Sequence, residues 1–150
     1  SMDELETKCY CKASGATVLH VYIPLGAKYG DDSVKLVAEL IATEVTSRLP
    51  ETTSIVRTIK KRQDKIYIDF LQNRAGQTLA SAYPVRPRSG ATVSTPLEWV
   101  EVTAKLSPLQ VTVKNVMNRF DKKGDLWKPV LGKGADLYKI LKKIIENSAH

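Results

Sequence analysis

The sequence predicts an α+β fold, a mixed or antiparallel sheet with flanking helices. Three observations predict it. Apolar residues alternate at period two in short runs near residues 8–23 and 65–70. They recur at helical spacing in two longer runs, Val34 to Leu49 and Leu137 to Ile145. The strand-like runs also lie close enough together to return on one another as antiparallel pairs. With 150 residues, 43% of them hydrophobic, the chain fits one domain, residues 1–150, with a real core.

In chain order, Lys8 to Ala13 reads as a strand, Ser14-Gly15-Ala16-Thr17 as a small-residue turn, and Val18 to Ile23 as a second strand ended by Pro24 and Gly26. The two form a hairpin or lie in one sheet around a tight loop. Asp31, Asp32 or Ser33 caps a helix to about Arg48, whose face Val34, Val37, Ala38, Ile41, Val45 and Leu49 is buried, and Pro50 stops it. Ser54–Ile59 is a third strand, residues 60–64 a basic connection, and Lys65–Phe70 a fourth strand. Thr78–Val85 alternates again and is expected to return antiparallel to that fourth strand through the turn at Gly76. Pro84 and Pro87 leave Arg86 and Arg88 on an irregular rim. Thr95, followed by Pro96, is expected to open a short helical segment anchored by Leu97 and Trp99. Val111–Val113 reads as a strand, Asn115 as the cap of a helix to about Lys123, and residues 125–129 as an irregular packed segment. Residues 132–134, Gly-Lys-Gly, are the expected hinge. Asp136 caps a last helix with Leu137, Ile140, Leu141, Ile144 and Ile145 on its buried face.

Charge is unevenly distributed. The net charge is +7, and residues 57–88 carry Arg57, Lys60, Lys61, Arg62, Lys65, Arg74, Arg86 and Arg88 against Asp64 and Asp69. Such a surface attracts phosphates, although basic hairpins are as often only solvated faces. No apolar run is long enough to span a bilayer, and the acidic N-terminus lacks a signal-peptide pattern, so a cytoplasmic location and no membrane partner are expected. Ser1-Met2 reads as a cloning remnant. Cys9 and Cys11 lie one residue apart on a strand, point to opposite faces and should stay unpaired.

Asp69 stands at the end of the Ile66-Tyr67-Ile68 run, ringed by these cations, which suits a metal ion and a polyphosphate. By composition alone it is equally a salt-bridge partner of Arg86 or Lys65. Magnesium or manganese at a nucleotide is usually held by two or more carboxylates, yet no Asp-x-Asp pair occurs. His20 is read either as a satisfied core histidine or as a phosphate donor beside an anion-binding nest of Ser14, Gly15 and the turn amides. No P-loop pattern occurs, and one internal histidine without an orienting acid argues against a serine or cysteine hydrolase.

Four segments follow one another in order: Ser14-Gly-Ala-Thr-Val-Leu-His20-Val-Tyr-Ile-Pro24, Lys65-Ile-Tyr-Ile-Asp69-Phe-Leu-Gln72-Asn73, Ala82-Tyr-Pro-Val-Arg86-Pro-Arg88 continuing to Trp99, and Asp125-Leu-Trp127. Together they resemble the polymerase (primase-like) domain of bacterial DNA ligase D, in the archaeo-eukaryotic primase superfamily. The resemblance implies half of a primase-like, RRM-related catalytic domain. It implies addition of nucleotides, often ribonucleotides, to a 3′ end during DNA end joining, with Mn²⁺ or Mg²⁺. Carried over by position, Asp69 matches the catalytic, metal-binding carboxylate. Ser14 and His20 match the triphosphate-contacting motif, Gln72 and Arg86 further nucleotide-site residues, and Arg62 a basic residue lining the same site. Nucleoside triphosphates and DNA ends are the implied partners. The family's Asp-x-Asp motif would precede Ser1, so the chain is expected to be the C-terminal half of the domain. That half would be inactive without its N-terminal partner, and self-association through an exposed edge is expected. Ala16 and Thr17 stand where many relatives carry Gly or Lys. The alternative is a non-catalytic nucleic-acid-binding module.

Overall fold

The computed structural model describes residues 6–62 and 64–148. Ser1-Met2 and Glu4 lie outside the described residues. The elements run β1 (Tyr10–Ala13), β2 (Leu19–Tyr22), α1 (Asp31–Arg48), β3 (Thr53–Ser54), α2 (Ile59–Arg62), β4 (Ile66–Tyr67), β5 (Thr95–Leu97), α3 (Val116–Lys123) and α4 (Leu137–Ser148). Short 3₁₀ turns at Leu71–Asn73, Trp99–Glu101 and Lys128–Leu131 join them. β1 and β2 form the hairpin, and β5 pairs antiparallel on the other side of β1 in the order β2-β1-β5. β3 and β4 make a separate parallel pair. The expected mixed and antiparallel α+β architecture is therefore present.

Two apolar clusters hold the frame. Val37 of α1 packs with Leu137, Ile140 and Ile144 of α4, and Ile23, Leu25, Tyr29 and Ile41 close around them. Cys11, Ala13 and Leu97 form the second cluster on one face of the sheet, under Val102 and Leu106. Neither Cys9 nor Cys11 is in a disulfide, as expected. α1 ends at Pro50 as expected. Its N-cap is Gly30 rather than an acid or serine; Asp31 and Asp32 fall inside the first turn and oppose the helix dipole there. Leu49 is the C-cap, past the last turn, and stands exposed instead of buried. Asp136 caps α4 as expected, its Oδ1 accepting from the Tyr138 and Lys139 amides at 2.9 and 3.3 Å. Ile145 is exposed because the buried stripe follows residues 137, 140 and 144.

Other expectations are corrected. The third and fourth strands are only two residues each, and residues 59–62 form a helical turn with Ile59 open to solvent. Thr78–Val85 does not return on residues 65–70. The chain turns through Leu71–Asn73, and residues 83–86 pair instead with 92–94: Tyr83 N–H to Ser94 O, Ser94 N–H to Pro84 O and Arg86 N–H to Thr92 O. Pro84 and Pro87 have no N–H for a longer ladder. Thr95–Leu97 is a buried strand, not a helix start; Pro96 is tolerated because β5 is the outer strand. Asn115 does sit at the N-cap of α3, but its side chain accepts from the Thr112 amide at 2.8 Å and does not cap the helix. Val111–Val113 makes only a bridge, through Thr112 to Thr92.

The segment at 125–129 is packed as expected: Asp125 accepts from the Tyr83 hydroxyl at 3.0 Å and Trp127 meets Tyr22 edge-on at 4.7 Å. Residues 132–134 dock on residues 24–26. A Cβ at Gly134 would lie 2.3 Å from the Gly26 nitrogen, and its φ of +77° is the left-handed region, so only glycine serves there. Among the described residues no helix is long and apolar enough to cross a membrane.

Replacing Ile140 by alanine should cost about 2–5 kcal/mol, because that side chain is buried between α1 and α4. The same change at exposed Ile145 should stay within about 0.5 kcal/mol. Chemical denaturation of both variants checks the contrast.

Candidate functional site

The hairpin loop between β1 and β2 is the floor of the site. Ser14 is buried, and its Oγ accepts from the amides of Ala16 and Val18 at 3.1 and 3.2 Å. Those amides are therefore committed to Ser14 and do not form the expected nest. Gly15 has φ +68°, and a Cβ there would lie 2.9 Å from Cγ of Arg86 and 3.0 Å from the Val93 carbonyl carbon. Arg86 thus lies across the loop, and a side chain at residue 15 would push it away.

His20 is half-buried on β2, directly opposite Lys12 of β1. Paired residues of an antiparallel ladder point to the same face, so both look toward the site. The His20 Nδ1 and the Arg86 Nε are buried without a hydrogen-bond partner. Burial lowers the His20 pKa below its ordinary 6.5, the positive charges of Lys12 and Arg86 lower it further, and Asp69 opposes them. The same electrostatics place Asp69, Arg86 and Lys12 around one imidazole.

Asp69 is exposed, one residue beyond Ile68, whose amide is the last to bond β3, to Ser54 O at 2.9 Å. One oxygen, Oδ1, accepts from the Leu71 amide at 2.9 Å. Lys65 is not its partner, since that ammonium reaches Pro50 O at 2.7 Å. Tyr67, two residues before Asp69, has its phenol pKa raised by burial and by the nearby carboxylate, while Arg57 and Arg62 pull it down. Arg62 sits over the Tyr67 ring at 5.0 Å. Arg62 therefore borders the Asp69 end of the site through Tyr67. Gln72 stands exposed on the turn that Asp69 ties down. Arg86 thus meets the Ser14-Gly15 loop, His20 feels the charges of Arg86 and Asp69, Arg62 stands over Tyr67 two residues from Asp69, and Gln72 is exposed on the turn that follows.

Lys12 is the residue that sequence reasoning missed. It is fully buried, and its Nζ donates to Ala80 O at 2.8 Å and to Ser94 Oγ at 2.9 Å. In sequence it is one polar residue between two cysteines on a strand, and only the pairing with His20 reveals where it points.

The model of the LigD primase-polymerase domain matches residues 1–127. The chain belongs to the LigD primase-polymerase family. It is 34% identical over 124 residues to the bifunctional non-homologous end joining protein LigD of Bacillus subtilis, covering 82% of this chain and 20% of that protein. It is 32% identical over 120 residues to the multifunctional non-homologous end joining protein LigD of Pseudomonas aeruginosa, covering 80% of this chain and 14% of that one. The chain thus spans a fifth or less of the length of those relatives. The polymerase domain of Mycobacterium tuberculosis ligase D, solved in complex with DNA, superposes with a TM-score of 0.81 at 24% identity, over 89% of this chain and 46% of that one. At that identity the likeness speaks for the fold.

The family resemblance implies a Mn²⁺ or Mg²⁺ ion. Among the described residues no group of three His, Cys, Asp or Glu side chains could hold a metal ion. A hard divalent ion takes about six oxygen ligands. Asp69 alone does not fit a complete site, only one carboxylate of one.

In the unfolded chain a histidine takes up its proton near 6.5, whereas folded His20 resists it. Stability should therefore fall as pH drops below that value, down to the lowered pKa. NMR titration should place the His20 midpoint below 6.5, and Asp69→Asn should lower it further by removing the one opposing charge. A midpoint unmoved by Asp69→Asn would separate the two groups.

Proposed function

We propose that this chain is the nucleotide-binding part of a LigD-type end-joining polymerase, which adds nucleotides to a 3′ end of DNA. One observation carries the reading: Nδ1 of His20 and Nε of Arg86 are buried without partners beside the Ser14 loop. Buried polar nitrogens without partners are costly, and a phosphate accepts both from the Arg86 Nε–H and from the His20 tautomer that carries its proton on Nδ1. In this reading Ser14 and His20 donate to the triphosphate and Arg86 neutralises and orients it. Arg62 and Gln72 hold the rest of the nucleotide. Asp69 contributes one ligand to a Mn²⁺ or Mg²⁺ ion, which when bound offsets the charge that develops on the phosphate oxygens. An Asp-x-Asp pair supplied by residues other than the described ones completes that ion's shell. The remainder of the domain and the DNA end are the implied partners. β2 is an outer strand with Val18, Leu19 and Val21 exposed, so this edge suits the remainder of the domain or a second copy.

A primer-extension assay with Mn²⁺ and ribonucleotides tests the reading. The chain alone should give no extension; robust extension would refute its inactivity. In a longer LigD protein that extends primers, Asp69→Asn should abolish extension. Arg86→Ala should weaken nucleotide binding by roughly tenfold to a hundredfold, the loss of a hydrogen bond to a charged group.

The exposed cations Arg57, Lys60 and Lys61 favour a second reading, a non-catalytic nucleic-acid-binding module. Binding of DNA should then weaken steeply with salt and persist in Asp69→Ala without metal. Nucleotide binding that persists without metal but is strengthened by it, and loses that strengthening in Asp69→Ala, decides for the polymerase reading.

A further inference from the structure

Lys12 is 0% exposed in the middle strand of the three-stranded sheet. Its ammonium has three protons, and it donates to two neutral acceptors, the Ala80 carbonyl and the Ser94 hydroxyl. Among the described residues no carboxylate forms an ion pair with it. The titratable and charged groups around it are Arg86, the facing imidazole of His20 and the ring of Tyr22, 5.8 Å from Nζ. A cation kept from water without a counter-charge is expensive, and the fold places this one beside two more positive or proton-donating groups.

The lysine is also a tie between two segments. Ser94 Oγ, which accepts from Lys12, donates in turn to Ala13 O at 3.1 Å, and Thr92 Oγ1 donates to Gly15 O. Ser94 and Thr92 bracket the stretch that bonds the Arg86 amide. Moving the Lys12 ammonium would release Ala80 and Ser94, and with them the backbone that lays Arg86 over Gly15.

Resting on the phosphate-site reading above, we propose that Lys12 is a positioning residue of that site, tying the Arg86 segment to the Ser14–His20 hairpin and holding a fixed positive charge behind the bound triphosphate. Burial, with Arg86 adding to it, lowers the Lys12 pKa from 10.5 to about 8, so the charge is present at neutral pH and fades above it.

Calorimetry with inorganic triphosphate, in chelator and without metal, tests this on the whole chain, as wild type, Lys12→Met and Arg86→Ala, at pH 7 and pH 9. Lys12→Met should bind roughly tenfold more weakly at pH 7, the effect of one charge at short range. The gap should narrow at pH 9, where the wild-type amine has lost its proton. The ligand's own ionisation is common to both proteins and cancels in that comparison. An equal gap at both pH values would mean packing alone and overturn the proposal, as would no gap. If Arg86→Ala loses binding while Lys12→Met keeps it, only the role of Lys12 falls. If the wild type itself fails to bind triphosphate, the phosphate-site reading falls and this proposal with it. Should Lys12→Met not fold, NMR of the Lys12 Cε and Nζ in the wild type decides. Triphosphate should move the lysine's titration to higher pH, and an unmoved midpoint overturns the proposal.

Discussion

Arg86 can lie over the Gly15 loop only while residues 80–94 are tied to β1, and that tie is polar and shut away from water. Lys12, Ser94, Thr92, Ala13 and Gly15 form it, with donors and acceptors matched in sequence across two segments some eighty residues apart. Such bonds gain little over bonds to water when made, but each is costly to leave unmade once the site is dry. The consequence is an all-or-none arrangement: the segment is either seated with its hydroxyls satisfied, or displaced with a buried lysine left without acceptors. A cationic side chain on an irregular, proline-bounded stretch is thereby held as firmly as one on a strand.

Asp69 is placed by different means. Its strand is two residues long, and its partner β3 starts directly after α1, where Thr53 Oγ1 donates to Leu49 O at 2.8 Å. α1 is in turn fixed by its packing on α4. The acid therefore inherits its position from the helical core, whereas Ser14, His20 and Arg86 inherit theirs from the sheet. The imidazole of His20 feels both, the cations Lys12 and Arg86 from the sheet side and the carboxylate of Asp69.

The parts of this fold set by local periodicity were legible in the sequence. α1 and α4 follow apolar spacing, Asp136 follows capping chemistry, and β1 and β2 follow period-two alternation around a small-residue turn. The misreadings occur where local signals compete. Thr95-Pro96 carries the signature of a helix start, but burial against β1 made it a strand. Thr78–Val85 alternates like a strand, yet its partner was chosen by the prolines and by the hydroxyls at 92 and 94, which no window of sequence contains. Arg86 lies against the Ser14-Gly15 loop, a juxtaposition that the family resemblance implied and that no local window of sequence contains. Lys12 escaped because strand alternation says which residues share a face and not which face is sealed.

The cations of this chain outnumber its acids most strongly around Asp69, and that imbalance constrains what the acid can do. A carboxylate serving only to balance local charge would be expected within ion-pair distance of one of them, as Glu101 is with Arg119 at 2.7 Å. Asp69 instead has Oδ1 fixed by a backbone amide and stands exposed, and Lys65 turns away from it to a carbonyl. An oriented, solvent-facing carboxylate is suited to a ligand that arrives from solution and brings its own anionic groups for the surrounding cations. A divalent ion carried on a polyphosphate satisfies both demands together, while a bare nucleic-acid backbone satisfies the cations and is repelled by the acid. The exposed carboxylate of Asp69 is thus what the proposed reading adds to a basic surface that alone would accept both partners equally.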